Sequence, residues 1–193
     1  MTGDPYVDPQ TGVLRNRLGV TDADELTRVE SDLTVVQLVD LERRHLPGGY
    51  DLPHLQEFHR FLFGDVYDWA GELRTVTIAK GDLFCLPENI ASFSQDVFRA
   101  LDREDFLRGR ERAEFVVGLA EHLANVNAVH PFRDGNGRTQ RAFFGQLARD
   151  AGYRIDWSTM DRETNLAASR ASIRGNEAQL RAMLDQLVDQ PGE

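Results

Sequence analysis

The chain has 193 residues, 41% hydrophobic and 28% charged, which is the balance of a globular domain with a sizeable core. Its 22 Lys and Arg against 32 Asp and Glu give a net charge of −10, which excludes a general nucleic-acid binder because that function needs a basic surface. The single cysteine, Cys85, excludes an internal disulfide. No apolar run approaches membrane-spanning length and no signal-peptide pattern follows Met1, so we predict a cytoplasmic protein without a membrane partner.

Taken in order, the sequence predicts an arm followed by one domain. Residues 1–20 contain three Gly and two Pro, which favour turns and predict an irregular arm. Residues 21–190 carry apolar residues at helical spacing without an internal repeat or linker, and predict a single, mainly α domain. The predicted helices are about 21–44, from Pro53, from Pro87, from Gly109 to His130, from the next loop to Gly152, 161–173 and 176–188.

Residues 73–86 are the strand-like stretch of the sequence. Thr75 to Ile78 are all β-branched and favour extended structure, and Lys80-Gly81-Asp82 is typical of a turn. An isolated hairpin is marginally stable unless it packs on something. The pattern alone leaves two interpretations open, a β-hairpin and a loop that covers the core.

Residues His130 to Arg141 read His-Pro-Phe-Arg-Asp-Gly-Asn-Gly-Arg-Thr-Gln-Arg, between two apolar helical patterns. The two glycines let successive backbone N–H groups converge, and the start of the next helix adds unpaired N–H groups and partial positive charge. Such a loop suits a phosphate chain. Arg138 and Arg141 lie three residues apart, so a helix puts them on one face, where each guanidinium can fork onto phosphate oxygens.

Three other side chains of this loop have candidate roles. Asp134 can hold Mg²⁺, which favours one or two carboxylates together with substrate phosphates. His130 can take a proton near neutral pH. Phe132 is expected to anchor the loop in the core. Each residue alone is typical of a helix end, a turn or a surface, but together they predict a phosphate-binding site with a base.

The same string is similar to the signature of Fic-domain proteins, His-Pro-Phe-x-(Asp/Glu)-Gly-Asn-Gly-Arg-x-x-Arg, and every fixed position is present. The resemblance implies a compact helical fold with a small β-hairpin flap beside the active-site loop. The related Doc kinases have Lys where this chain has Gly137. The resemblance therefore favours the branch of the family that transfers AMP.

For such a protein adenylyltransferase, the resemblance implies ATP and a target protein as partners. Asp134 would hold Mg²⁺, and His130 would take the proton of a Tyr, Thr or Ser hydroxyl that attacks the α-phosphorus. The phosphates would be held by Gly135, Asn136, Gly137, Arg138 and Arg141. The strand-like stretch stands where the family has its flap, which holds the target segment by strand-type pairing. The implied target-binding residues are Thr77, Ile78, Ala79, Lys80 and Gly81.

Many Fic proteins also carry an inhibitory helix, (Ser/Thr)-x-x-x-Glu-(Gly/Asn), whose glutamate pairs with the second arginine of the signature, here Arg141. The segments Thr21–Glu25 and Thr159–Glu163 begin this pattern, but neither continues with Gly or Asn. The chain thus resembles the branch inhibited by a separate small antitoxin. We therefore predict the toxin of a toxin–antitoxin pair.

Two alternative functions are carried forward. One is a phosphotransferase of the Doc type, against which Gly137 counts. The other is a non-catalytic binding module on a Fic fold. The complete signature counts against it, because a scaffold has no need of the histidine, the acid and both arginines together.

Overall fold

The computed structural model describes residues 3–189, which form seven α-helices and four two-residue strands. The prediction of a mainly α fold is confirmed. The helices are α1 (Ala23–Arg43), α2 (Leu52–Phe63), α3 (Ile90–Arg103), α4 (Arg112–Val129), α5 (Asn136–Asp150), α6 (Arg162–Ile173) and α7 (Ala178–Leu187). The strands are β1 (Ala79–Lys80), β2 (Asp82–Leu83), β3 (Arg154–Ile155) and β4 (Val188–Asp189). None of the described helices has the length and apolar character needed to cross a membrane.

Aspartates define the starts of three helices. The side chains of Asp22, Asp51 and Asp161 each accept a hydrogen bond from the backbone N–H three residues later, at the beginning of α1, α2 and α6. Such caps satisfy one of the N–H groups that have no partner inside a helix. Pro53 lies in the first turn of α2, where the missing N–H of a proline is harmless.

Helix α4 is the centre of the fold. It packs against α3, α5, α6 and α7, and Phe115, Leu119 and Val126 are buried along its length. The near absence of charge in this part of the sequence predicts such burial, because a helix that is apolar all round must be covered on most sides. Its end delivers His130 to a loop that leads directly into α5.

The predicted hairpin forms, but it is shorter and begins later than the sequence indicates. Strands β1 and β2 pair antiparallel around Gly81, whereas residues 75–78 are not in a strand. Their backbone groups have other partners: the Thr75 N–H donates to the hydroxyl of Tyr6, and the Val76 carbonyl accepts from Arg74. At Thr75 and Val76 these contacts replace strand pairing, and regular pairing begins at Ala79.

The N-terminal arm packs on the rest of the protein. Val7 and Leu14 form a β-bridge, which turns Tyr6 and Val13 into the hydrophobic core. The Tyr6 ring packs edge-on against Trp69, with ring centroids 5.5 Å apart. The arm thus supports residues just before the hairpin.

Candidate active site

His130 ends α4 in a left-handed backbone conformation, with φ of 45° and ψ of 61°. Only 6% of the residue is exposed, and the Phe84 ring stacks on the imidazole at a centroid distance of 3.8 Å. Nδ1 lies 3.3 Å from the carbonyl oxygen of Asn127. Because a carbonyl only accepts, this contact assigns the proton of the neutral ring to Nδ1, and Nε2 is then the basic nitrogen.

The loop after His130 is held by its own side chains. Phe132 is fully buried and stacks on His59 at 4.0 Å. The Asn136 side chain accepts from the Phe132 N–H at 2.9 Å and donates to the Phe132 carbonyl at 2.7 Å. The side chain of Asn136, which the sequence assigned to phosphate binding, therefore closes the loop. Its backbone N–H remains at the N-terminal end of α5.

Asp134 and Gly135 form the turn into α5. Gly135 has φ of +77°, and a Cβ there would lie 2.5 Å from the Phe63 ring, so both the angle and the space call for glycine. The Gly135 N–H donates to Oδ1 of Asp134 at 2.5 Å. His59 supports the turn from below, because its Nε2 donates to the Asp134 carbonyl at 3.0 Å while its Nδ1 accepts from the Gly71 N–H at 2.8 Å.

The two arginines of the loop have different environments. The Arg138 guanidinium forms an ion pair with Glu30 of α1, donates to Thr34 at 3.3 Å, and lies over the Phe63 ring at 4.7 Å. Glu30 also accepts from the hydroxyl of Tyr67, so it is held on two sides. In the structure Arg138 therefore lies in a contact between α1 and α5, and its assignment to phosphates stays a prediction.

Arg141 instead lines a cavity with Gly137 and His130. Within residues 3–189, its guanidinium makes no hydrogen bond or ion pair with another side chain or backbone group. Burial and then the nearby charge of Arg138 lower the pKa of Arg141. A cation in this situation favours an incoming anion, because the anion restores the stabilisation that burial removes. The far wall of the cavity consists of Trp157, Asn165, Leu166 and Ser169.

A second cavity meets the first at His130. It is lined by Thr77, Ile78 and Ala79 of the hairpin segment and, on the other side, by Asp4, Arg133, Asp134 and Asn136. Gly81 lies at the exposed tip of the hairpin with φ of +90°. The structure thus brings His130, Asp134 and the residues just before the hairpin tip to one groove.

Two residues that contact His130, Phe84 and Asn127, are not predicted from the sequence. Phe84 lies beyond the hairpin turn, in a stretch whose apolar residues indicate only a strand or a loop. Asn127 lies within the apolar helix, three residues before His130. A polar residue one turn before a candidate base is a signal that could have indicated that part of α4, although it is the backbone carbonyl of Asn127 that contacts the imidazole.

Comparison with known proteins agrees with this geometry. The model of the Fic/DOC family matches residues 49–148, which include the loop, the hairpin and helices α2 to α4. The chain belongs to the Fic/DOC family.

Relatives of this Fic protein are similar over almost its whole length. The protein adenylyltransferase VbhT of Bartonella schoenbuchensis is 42% identical over 184 residues, which cover 95% of this chain and 38% of that protein. The probable protein adenylyltransferase Fic of Escherichia coli K12 is 36% identical, with 98% of this chain and 94% of that protein covered. The chain therefore spans well under half of the first relative and nearly all of the second.

The Fic fold is equally clear from solved structures. The N-terminal Fic domain of a VirB-translocated Bep effector protein from Bartonella quintana, with bound ADP, superimposes with a TM-score of 0.89 at 26% identity. The match covers 96% of this chain and 94% of that one. A nucleotide is thus bound by a protein of the same fold.

Proposed function

We propose that the protein is a protein adenylyltransferase, which transfers AMP from ATP to a Tyr, Thr or Ser hydroxyl of a target protein. The observation that carries the proposal is the position of His130 between the two cavities. A base that serves this reaction must reach the acceptor hydroxyl and the α-phosphate together. The names of the relatives VbhT and Fic support the same reaction.

ATP occupies the cavity that contains Arg141. Its triphosphate lies at the N-terminus of α5, where the N–H groups of Asn136 and Gly137 and the helix dipole favour negative charge. Arg141 contacts the terminal phosphates, whereas Arg138 supports the loop through Glu30. The adenosine lies towards Trp157 and α6, where the apolar side chains of Leu166 and Ile173 line the cavity beside the polar Asn165 and Ser169.

Asp134 is the residue that would hold Mg²⁺. No group of three or more His, Cys, Asp or Glu within residues 3–189 has the geometry of a protein metal site. One carboxylate fits a magnesium ion whose other ligands are phosphate oxygens and water. Held there, Mg²⁺ would neutralise charge on the pyrophosphate that leaves.

The acceptor hydroxyl lies in the groove between the hairpin segment and the loop. An extended target segment pairs with Thr77 to Ala79, which places its hydroxyl next to His130. Nε2 takes the proton as the hydroxyl oxygen bonds to the α-phosphorus and the bond to the bridging oxygen of pyrophosphate breaks. The products are AMP-protein and pyrophosphate.

We also propose that a small antitoxin inhibits the protein in the cytoplasm. Its helix would carry a glutamate that pairs with Arg141. Two features support this: Arg141 lacks an ion-pair partner within residues 3–189, and the inhibitory pattern is incomplete in the sequence. A glutamate at Arg141 would occupy the place of a terminal phosphate.

The decisive experiment uses ATP labelled at either the α- or the γ-phosphate, with Mg²⁺, in a bacterial lysate. Transfer of the α-label to a protein band supports adenylylation, whereas transfer of the γ-label alone identifies a kinase of the Doc type. The variant His130→Ala is expected to lose transfer and still bind ATP. The matched control is His45→Ala, since His45 is exposed and pairs with Asp150 on the surface. The absence of both labels from every band refutes a transferase.

A further inference from the structure

Arg74 is buried at the junction of the hairpin and the catalytic loop, with only 2% of the residue exposed. Its Nε donates to the carbonyl of His130 at 2.8 Å, and its Nη2 approaches the carbonyl of Val129 at 3.4 Å. Both carbonyls lie at the C-terminal end of α4, where backbone oxygens have no partner inside the helix. The guanidinium therefore closes the end of the helix that delivers His130.

The same guanidinium also holds both sides of the hairpin base. Its Nη1 donates to the Val76 carbonyl at 2.8 Å, before β1, and its Nη2 donates to the Cys85 carbonyl, after β2. Two backbone hydrogen bonds also join the hairpin base to residues 128–131. The Arg74 N–H donates to the Pro131 carbonyl at 2.9 Å, and the Cys85 N–H donates to the Ala128 carbonyl at 3.0 Å.

A guanidinium is suited to this junction. It has five N–H donors in a rigid plane, so one side chain can satisfy carbonyls on several segments. Among the side chains that the structure describes, no carboxylate forms an ion pair with Arg74, and its charge is compensated by backbone carbonyls and the negative end of the α4 dipole. Arg74 thus links the hairpin base to the end of α4 through backbone carbonyls, so the link does not depend on the side chains of the residues that it contacts.

We propose that Arg74 is a positioning residue, which fixes the hairpin segment at the distance from His130 that aligns the acceptor hydroxyl with the base. The proposal rests on the proposed transferase function. It adds a residue outside the signature, which touches neither the nucleotide nor the acceptor. Without this link, the backbone hydrogen bonds that remain between the hairpin base and residues 128–131, within the described part of the chain, are those from Arg74 to Pro131 and from Cys85 to Ala128, and the groove that we propose for the target widens.

The test compares Arg74→Met and Arg74→Lys with the control Arg112→Met. Arg112 also donates to backbone carbonyls, those of Asp185 and Val188. It begins α4, and so lies at the opposite end of this helix from His130. For each variant three quantities are measured: kcat and KM for transfer of label from ATP to the lysate band, the Kd for Mg²⁺ and AMPPNP, and the hydrogen exchange of residues 76–86.

Arg74→Met is expected to lower kcat by about 10²-fold, because a displacement of about 1 Å at a reacting group has an effect of that order. The Kd for AMPPNP stays within about threefold of the wild-type value, since the contact lies outside the nucleotide cavity, and exchange of the Cys85 amide accelerates by at least about tenfold. Arg74→Lys keeps the charge at the end of α4 but cannot bridge both segments. It is expected to recover thermal stability without recovering kcat.

Several results overturn the proposal. An unchanged kcat in Arg74→Met does so, as does an equal loss of kcat in Arg112→Met, which indicates general destabilisation. Full recovery of kcat in Arg74→Lys also overturns it, because a positive charge without the guanidinium fork would then be enough for transfer. Failure of both Arg74 variants to fold makes the residue a folding determinant and rejects a positioning role. If the wild-type protein transfers no label, the proposed transferase function is wrong. In that case, an unchanged hydrogen-exchange rate of the Cys85 amide in Arg74→Met also rejects the proposed link between the hairpin and the end of α4.

Discussion

At the scale of single residues, the signature divides into groups that line a cavity and groups that hold the loop. His130 and Arg141 line the cavity that we propose for the nucleotide, whereas Phe132 is fully buried and the side chain of Asn136 bonds to the backbone of Phe132. The guanidinium of Arg138 pairs with Glu30 of α1, and its assignment to phosphates stays a prediction. The residues of the signature are therefore divided between the walls of the cavities and contacts inside the protein.

The two arginines are expected to respond differently to removal. Arg141→Ala should lower transfer by roughly 10²-fold and raise the KM for ATP, since one charged contact to phosphate is worth a few kcal/mol. Its thermal midpoint should stay near the wild-type value, because within residues 3–189 the side chain has no ion-pair partner. Steady-state kinetics and thermal unfolding of the same preparation check both statements. Unchanged kinetics in ATP would exclude Arg141 from the nucleotide site.

Arg138→Ala is expected to lower the free energy of unfolding by about 3 kcal/mol, because it leaves Glu30 buried without its cation. The double variant Arg138→Ala with Glu30→Gln should recover much of that loss, since glutamine carries no charge and still accepts from Tyr67. Urea unfolding measures both variants. If the double variant is no more stable than the single one, the ion pair does not account for the loss.

At the scale of elements, the start of α5 is set by the close approach of the loop to α2. The Phe63 ring of α2 lies where a Cβ of Gly135 would stand, and His59 of the same helix holds the Asp134 carbonyl. Contacts with α2 therefore hold the two residues that precede α5. This packing supports the turn at which we propose that the phosphates bind.

Gly135→Ala is expected to lower the free energy of unfolding by roughly 2–4 kcal/mol, from the cost of a positive φ and from overpacking against Phe63. Gly109→Ala is the matched control, because Gly109 also has a positive φ of +68° but no atom within 4 Å of a built Cβ. Urea unfolding of the two variants separates the backbone cost from the packing cost. An equal decrease in the free energy of unfolding in both variants would show that the Phe63 ring moves aside without a packing cost.

At the scale of the whole molecule, stability is coupled to pH through a buried histidine. Burial lowers the pKa of His59 to about 4, from an ordinary value of 6.5. Between these values the unfolded chain binds more protons than the folded one, so the free energy of unfolding decreases as the pH falls through this window. His54, whose pKa burial also lowers, contributes in the same direction.

The wild-type protein is therefore expected to lose about 2 kcal/mol through His59 between about pH 7 and pH 5, because each pKa unit corresponds to about 1.4 kcal/mol. His59→Gln keeps a donor for Asp134 and an acceptor for Gly71 but does not titrate. Denaturant unfolding at the two pH values should show a smaller pH dependence in this variant. An identical dependence in both proteins would assign the effect to other groups.

Local chemistry made several features predictable from the sequence. Aspartate caps, Pro53 and apolar spacing locate the helices, because these signals act within a few residues of the chain. The order of histidine, acid, glycines and arginines from 130 to 141 indicates a phosphate site for the same reason, and it identifies the Fic family. The hairpin tip at Gly81 follows from its turn residues.

Tertiary structure alone decided the rest. Arg138 meets Glu30, which lies 108 residues earlier, and Arg74 meets the carbonyl of His130, 56 residues later; no local pattern reports such contacts. The strand propensity of Thr75 and Val76 is overridden because Tyr6 accepts from the Thr75 N–H and Arg74 donates to the Val76 carbonyl. The sequence by itself determined which residues can carry the chemistry. The packing of distant segments decided which of these residues face the cavities, because the direction of a side chain depends on its contacts with residues far away in the chain.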